Sequence, residues 1–247
     1  MLALEQRGSG SRALLFAHGW ISGRRMWYDV VDRLEPGRFT AHLLDFRGAG
    51  LSDRPADGHD LDGYASDLRA ALAEVGPAVV VAHSMGAKVA QYVATESAAA
   101  IDRLILVAPG SARAYREAPK QRALAEAAYG SRERIERFQR AAMTRIPEPE
   151  VMERIVDDAL IAQREHWFGW FDRGRAADFA DRLDQITVPT LVVAGEKDPL
   201  APPVRVRRDV VEPIAGALMV NLHNAGHNLP VESPVELAQI VTRFAGS

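Results

Sequence analysis

Short apolar runs alternate along the chain with longer segments whose apolar residues recur at helical spacing. The runs Ala13–Ala17, Phe39–Leu44, Ala78–Ala82, Arg103–Ala108, Thr190–Ala194 and Ala217–Leu222 each hold five or six residues in which apolar side chains dominate. Such runs predict strands buried on both faces. Between them, 26–34, Leu61–Val75, Met85–Ala98 and Val235–Ala245 read as helices; in Leu61–Val75, Leu61, Leu68 and Leu72 fall on one face. Strands separated by helices predict right-handed crossovers and a mostly parallel, doubly wound α/β sheet covered on both sides.

The alternation stops between Ser111 and Asp184. This stretch is rich in Ala, Arg and Glu, has no strand-like run, and is interrupted by Gly130, Pro147, Pro149 and Gly169. It predicts a helical insertion of about four helices after the Arg103–Ala108 run. The expected division is a core of residues 1–110 and 185–247 with a helical cap over 111–184. Most aromatic residues of the insertion serve its own packing, because any helix needs an apolar stripe. The cluster from His166 to Phe171 carries large apolar groups on more faces than one stripe uses. Trp167, Phe168, Trp170 and Phe171 are therefore expected to line a pocket.

Composition narrows the classes. With 47% hydrophobic residues the chain is not disordered. With 30 basic and 33 acidic residues the net charge is −3, which gives no footprint for nucleic acid or an anionic membrane. The absence of cysteine excludes disulfides, thiolate nucleophiles and thiolate metal sites. No run reaches the ~20 apolar residues of a membrane helix. The N-terminal segment MLALEQRGSGSR lacks the basic region of a signal peptide and carries a glutamate early, so a cytoplasmic protein is expected. No metal or cofactor is expected. Whether the protein is a monomer or a dimer is left open.

The sharpest chemical signal is Val79-Val80-Val81-Ala82-His83-Ser84-Met85-Gly86, a buried strand turning through a serine directly into a helix. A nucleophile elbow needs this arrangement: small residues two before and two after, here Ala82 and Gly86, let the strand and helix backbones approach. A serine hydroxyl needs a base, and the base needs an orienting acid. Asp198 follows the Thr190–Ala194 run, with Glu196 as its competitor. His227 follows the Ala217–Leu222 run, with His223 as its competitor. The spacing favours Asp198 and His227, each beyond the C-terminal end of a strand, where sites form in open α/β sheets. Any one of these residues alone reads equally well as an ordinary loop residue. After the first run, His18-Gly19-Trp20 places a loop where a second oxyanion donor is needed.

These segments resemble the α/β-hydrolase superfamily, in its esterase-like group with a helical cap. The matching stretches are His18-Gly19-Trp20, Asp45 to Pro55, His83-Ser84-Met85-Gly86, Gly195-Glu196-Lys197-Asp198 and Gly226-His227, which together span nearly the whole chain. The resemblance implies Ser84 as nucleophile, His227 as base, Asp198 as acid, and the backbone N–H groups of Trp20 and Met85 as oxyanion hole. Trp20 would also wall the pocket. It implies a structural role for the Asp45–Pro55 loop. The expected activity is a carboxylesterase cleaving small to medium apolar esters. Carbon–carbon bond or lactone hydrolysis would use the same residues, a cofactor-free perhydrolase activity would need only a different pocket geometry, and a non-turnover sensor shares the fold. Acidic substrates would draw on an arginine among Arg113, Arg116, Arg140, Arg145, Arg164 and Arg173.

Overall fold

The computed structural model describes residues 1–96, 100–115 and 119–246. Seven strands form one sheet: β1 (Ala3–Gly8), β2 (Arg12–Ala17), β3 (Phe39–Asp45), β4 (Ala78–His83), β5 (Ile101–Val107), β6 (Thr190–Gly195) and β7 (Leu218–Leu222). Their order across the sheet is β1-β3-β2-β4-β5-β6-β7, and only the β1–β3 pair is antiparallel. The helices are α1 (Tyr28–Val31), α2 (Leu61–Val75), α3 (Met85–Glu96), α4 (Pro119–Ala128), α5 (Arg132–Ala141), α6 (Pro149–Leu160), α7 (Arg164–Gly169), α8 (Pro203–Val206), α9 (Leu229–Glu232) and α10 (Pro234–Gly246). The last two residues expected in the third helix, 97 and 98, lie outside the described residues.

The apolar runs partition by alternation, because successive side chains of a strand point to opposite faces. Leu15, Ala17, Val80, Ala82, Leu104 and Leu106 pack with α2 and α3 on one face. Leu14, Phe16, Val79, Val81, Ile105 and Val107 pack with Trp27, Val30 and α10 on the other. Helix α2 starts where the Asp60 side chain accepts the Gly63 N–H at 3.0 Å and stops at Gly76, whose φ of 83° suits glycine.

Several elements differ from the expectation. The 26–34 helix is a 3₁₀ turn at Arg24–Trp27 followed by the four residues of α1, then tight turns that run into Pro36 and Gly37. Strand β5 begins at Ile101, opposite Ala78, and ends before Ala108, whose φ of 44° breaks the strand. Strand β7 is not covered on both faces. It is the sheet edge, with Leu218 and Val220 exposed. Strand β1 has no apolar run because it is the opposite edge, and charged Glu5 and Arg7 sit on it.

Between β5 and β6 the chain leaves the sheet and forms α4 to α7, a π-helical turn at Trp170–Gly174 and a 3₁₀ turn at Ala180–Gln185. An ion pair ties this segment to the 3₁₀ turn at Arg24–Trp27. Arg25, just after β2, reaches Asp158 of α6; burial pushes the Asp158 carboxyl up to about 6 despite that partner.

Candidate active site

Strand β4 delivers Ser84 at a backbone φ of 49°, and α3 begins at the next residue. A non-glycine residue in this region costs about 1–3 kcal/mol and persists only where its surroundings hold it. Here the Ser84 N–H donates to the Val107 carbonyl at 3.0 Å, and the Ser84 carbonyl accepts from Lys88 and Gly110, both at 3.1 Å. A Cβ on Gly86 would lie 2.5 Å from the His18 carbonyl oxygen, so the position requires glycine.

Asp198 and His227 arrive on two loops that touch back to back. A Cβ on Gly195 would sit 1.9 Å from the Gly226 carbonyl oxygen, and the Lys197 N–H donates to the Ala225 carbonyl. His227 Nδ1 lies 2.7 Å from Asp198 Oδ2, and its Nε2 lies 2.9 Å from Ser84 Oγ. A carboxylate only accepts, so the proton sits on Nδ1 and Nε2 is free to accept from the serine hydroxyl. Asp198 Oδ1 accepts from the Leu200 and Ala201 N–H groups at 2.7 and 2.8 Å. Burial alone would raise its pKa, but His227 and these amides outweigh burial and hold the carboxyl below its ordinary value. The competitors lie elsewhere: His223 is 87% exposed and pairs with Glu196 on the outer surface of the loops.

His83 is buried directly behind the histidine. Its Nε2–H donates to the His227 carbonyl at 3.0 Å, and burial pulls its pKa down to about 3, so it stays neutral. His18 is also fixed in one tautomer, donating from Nδ1 to the Gly19 carbonyl and accepting the Phe46 N–H at Nε2. Neither side chain is placed to carry a proton to the serine.

The His227 loop has a further support that the sequence pattern does not reveal. Glu232, buried on α9, accepts the N–H groups of Gly226 and Asn228, which flank His227, and those of Thr144 and Arg145, which follow α5. The His227 N–H donates to Ala142 in the same stretch. One carboxylate thus fixes both sides of the histidine and joins them to the inserted helices.

A cavity of about 260 Å³ opens onto Ser84 and His227. Its walls include Trp20, Leu124, Phe138, Phe171, Arg175 and Leu200. Trp20 follows β2 and is pinned by its indole N–H to the Trp167 carbonyl at 2.9 Å; its ring meets Phe171 edge-on at 4.4 Å. The expected pocket aromatics therefore divide. Phe171 lines the cavity with Trp20. Trp167 is fully buried, with its indole N–H on the Ala125 carbonyl, Phe168 packs on Tyr129, and Trp170 packs on Tyr64; none of these three lines it. They point in different directions: Trp170 belongs to the apolar cluster with Tyr64 and Phe46, and Trp167, with Phe168 beside it, to the cluster with Trp27 and Ile155.

The arginines expected near an acidic substrate also lie elsewhere. Arg113, Arg140, Arg164 and Arg173 are exposed, and Arg145 is held by Glu236 and the His223 carbonyl. Arg116 lies outside the described residues. The arginine in the wall is Arg175, which nothing in the pattern distinguishes from its neighbours.

Met85 heads α3, where the first N–H groups have no partner within the helix. Among the described residues, no cluster of three or more His, Cys, Asp or Glu could hold a metal ion, and no helix is long and apolar enough to cross a membrane.

Comparison with known proteins agrees with this architecture. The chain is 27% identical to an AB hydrolase superfamily protein of Bacillus subtilis, YisY, over 100% of this chain and 96% of the relative. In fold it is similar to an esterase from Exiguobacterium antarcticum, with a TM-score of 0.90 and 21% identity over 100% and 96% of the two chains. It is also similar to the enol-lactonase from Burkholderia xenovorans, with a TM-score of 0.81 and 23% identity over 100% and 96%. The model of the alpha/beta hydrolase family matches residues 14–240, and the chain belongs to that family.

Proposed function

We propose that the protein is a serine carboxylesterase that cleaves small to medium esters with an apolar acyl body. The observation that carries this reading is the hydrogen-bonded line Ser84 Oγ, His227 Nε2, His227 Nδ1, Asp198 Oδ2, whose serine and histidine line the cavity. Ser84 Oγ bonds to the acyl carbon as its proton passes to His227 Nε2. The carbonyl oxygen becomes an oxyanion, for which the Trp20 and Met85 amides are the donors in this reading. The ester C–O bond then breaks, and the alcohol leaves with the proton from His227. Water gives its proton to His227, attacks the acyl-enzyme and releases the acid, and the proton returns to Ser84.

In this reading the segment 111–184 is a cap. It supplies Leu124, Phe138, Gln139, Ala141, Ala142, Phe171 and Arg175 to the cavity wall. The cavity falls below the roughly 300–1,000 Å³ of sites for drug-sized ligands, which favours short acyl groups.

The test is ester turnover across acyl chains from two to sixteen carbons. Each added methylene improves kcat/KM by up to about fourfold, from about 0.8 kcal/mol per buried CH₂, until the chain meets the cavity wall. Ser84→Ala and His227→Ala lower kcat by about 10⁴- to 10⁶-fold with an unchanged circular dichroism spectrum, while His223→Ala retains activity. Retained turnover in Ser84→Ala, or a peak at sixteen carbons, contradicts the proposal.

A further inference from the structure

We propose that the cavity selects esters that carry a secondary carboxamide, and that the side-chain amides of Gln139 and Asn228 recognise it. The inference rests on the reading of Ser84 as nucleophile and adds the substrate class.

Gln139 of α5 and Asn228, the residue after His227, share the cavity wall with Ser84 and His227. Both are buried, and they meet each other: Asn228 Nδ2 donates to Gln139 Oε1 at 2.9 Å. A side-chain amide has two N–H donors and an oxygen that accepts twice, so one bond leaves both groups incomplete. Gln139 Nε2 and Asn228 Oδ1 take no partner among the described residues, and neither atom is sealed from solvent. The pair therefore offers one donor group and one acceptor. The same two functions remain if both amides are turned over, because the bond between them again uses one of each. Both residues also line a hollow of about 20 Å³ beside the cavity. That hollow has room for one water and none for a substrate group, so a ligand meets the pair from the larger cavity.

The backbones behind the pair are anchored. The Asn228 N–H donates to Glu232 at 2.8 Å, its carbonyl accepts from the Val231 and Glu232 N–H groups at 3.0 and 2.9 Å, and the Gln139 carbonyl accepts from Ala142 at 3.1 Å. The amides are therefore set before substrate arrives, which lowers the ordering cost of binding. An apolar chain laid over them would strip their water and return no hydrogen bond, which penalises such a substrate. A secondary carboxamide brings a carbonyl acceptor and an N–H donor on two atoms and completes both groups. A ketone completes only the donor, and a hydroxyl must serve both from one oxygen. Leu124, Phe138, Phe171 and Leu200 leave the rest of the wall largely apolar, so the remainder of the substrate is hydrocarbon.

The test uses the methyl esters of N-acetylglycine, N-acetyl-β-alanine and N-acetyl-γ-aminobutyric acid, which step the amide away from the ester one carbon at a time. Each is compared with the ketone in which CH₂ replaces the N–H, and with the hydrocarbon in which CH(CH₃)–CH₂ replaces the whole amide. Every rate is divided by that of alkaline hydrolysis. The expected result is a kcat/KM higher for at least one amide than for its hydrocarbon analogue by about 10- to 100-fold, the range of the buried hydrogen bonds the analogue leaves unmade, with the ketone between them. Gln139→Met and Asn228→Leu each lower that ratio by about fivefold or more, with an unchanged circular dichroism spectrum, and either variant alone decides. Amide and hydrocarbon esters hydrolysed equally well by the unaltered protein, or variants that lower both alike, overturn the proposal and leave the two amides as a tie between α5 and the His227 loop. Calorimetric titration of the Ser84→Ala protein separates this from failure of the esterase reading. Binding of an amide ester but not its hydrocarbon analogue, with no turnover by the unaltered protein, upholds the carboxamide site and sinks the esterase; binding of neither, or of both alike, sinks the carboxamide site.

Discussion

Lys88 lies one helical turn after Ser84 and is 2% exposed. Its ammonium donates to the carbonyls of Ala177 at 2.7 Å, Arg113 at 3.3 Å and Arg175 at 3.4 Å, and so holds together the two ends of the inserted segment. Burial lowers its pKa from 10.5 to about 8; Asp178 opposes that change and Arg175 adds to it. The sign of the consequence follows from linkage. Below about pH 8 Lys88 is protonated in both states, and the full cost of the buried ammonium is present. Between about 8 and 10.5 the unfolded chain binds one more proton than the folded chain, so stability gains as pH rises. Urea unfolding of the unaltered protein and of Lys88→Gln at pH 7, 8.5 and 10 reads this. The difference between the two proteins shifts in favour of the unaltered one by up to roughly 3 kcal/mol over that window; parallel pH profiles contradict the account.

The loop between β7 and α9 owes its shape to a contact that no local pattern announces. Glu232 follows His227 by five residues, ends the short helix α9, and carries no motif that sets it apart from other acids of the chain. In the fold it accepts four N–H groups and clamps the histidine from both sides. Glu232→Gln places an amide NH₂ against those donors and removes one acceptor. The expected outcome is a kcat lower by about 10- to 100-fold, as for a misplacement of the order of 1 Å, with KM little changed and stability reduced by about 1–3 kcal/mol. Activity within twofold of the unaltered protein contradicts a positioning role. Strand β1 shows a similar limit on reading elements from pattern. Its Glu5 accepts from Arg24 and the Tyr28 hydroxyl, so its place at the sheet edge draws on polar contacts to residues distant in sequence rather than on an apolar run. The buried strands β2, β4, β5 and β6 were legible to within about two residues because hydrophobic runs encode them locally.

The topology explains why three residues far apart in the chain meet. Ser84, Asp198 and His227 follow β4, β6 and β7, which run parallel, so all three emerge at one edge of the sheet. The sequence showed this much because each residue ends its own apolar run, and parallel order then brings the ends together. The cavity wall was not legible in the same way. It depends on how α4 to α7 lie over that edge, and an aromatic cluster does not disclose which rings turn inward: Phe171 does, while Trp167 and Trp170 join the core. Arg175 was hidden for the same reason, as one arginine in an arginine-rich segment. The proposed role of Ser84 as nucleophile is open to test by mass spectrometry of the protein after reaction with a p-nitrophenyl alkylphosphonate. The account predicts one phosphonyl adduct per chain, mapped to the peptide containing Ser84, absent from Ser84→Ala and formed far more slowly by His227→Ala. An adduct on another residue, no adduct at all, or equally fast labelling of His227→Ala would contradict it.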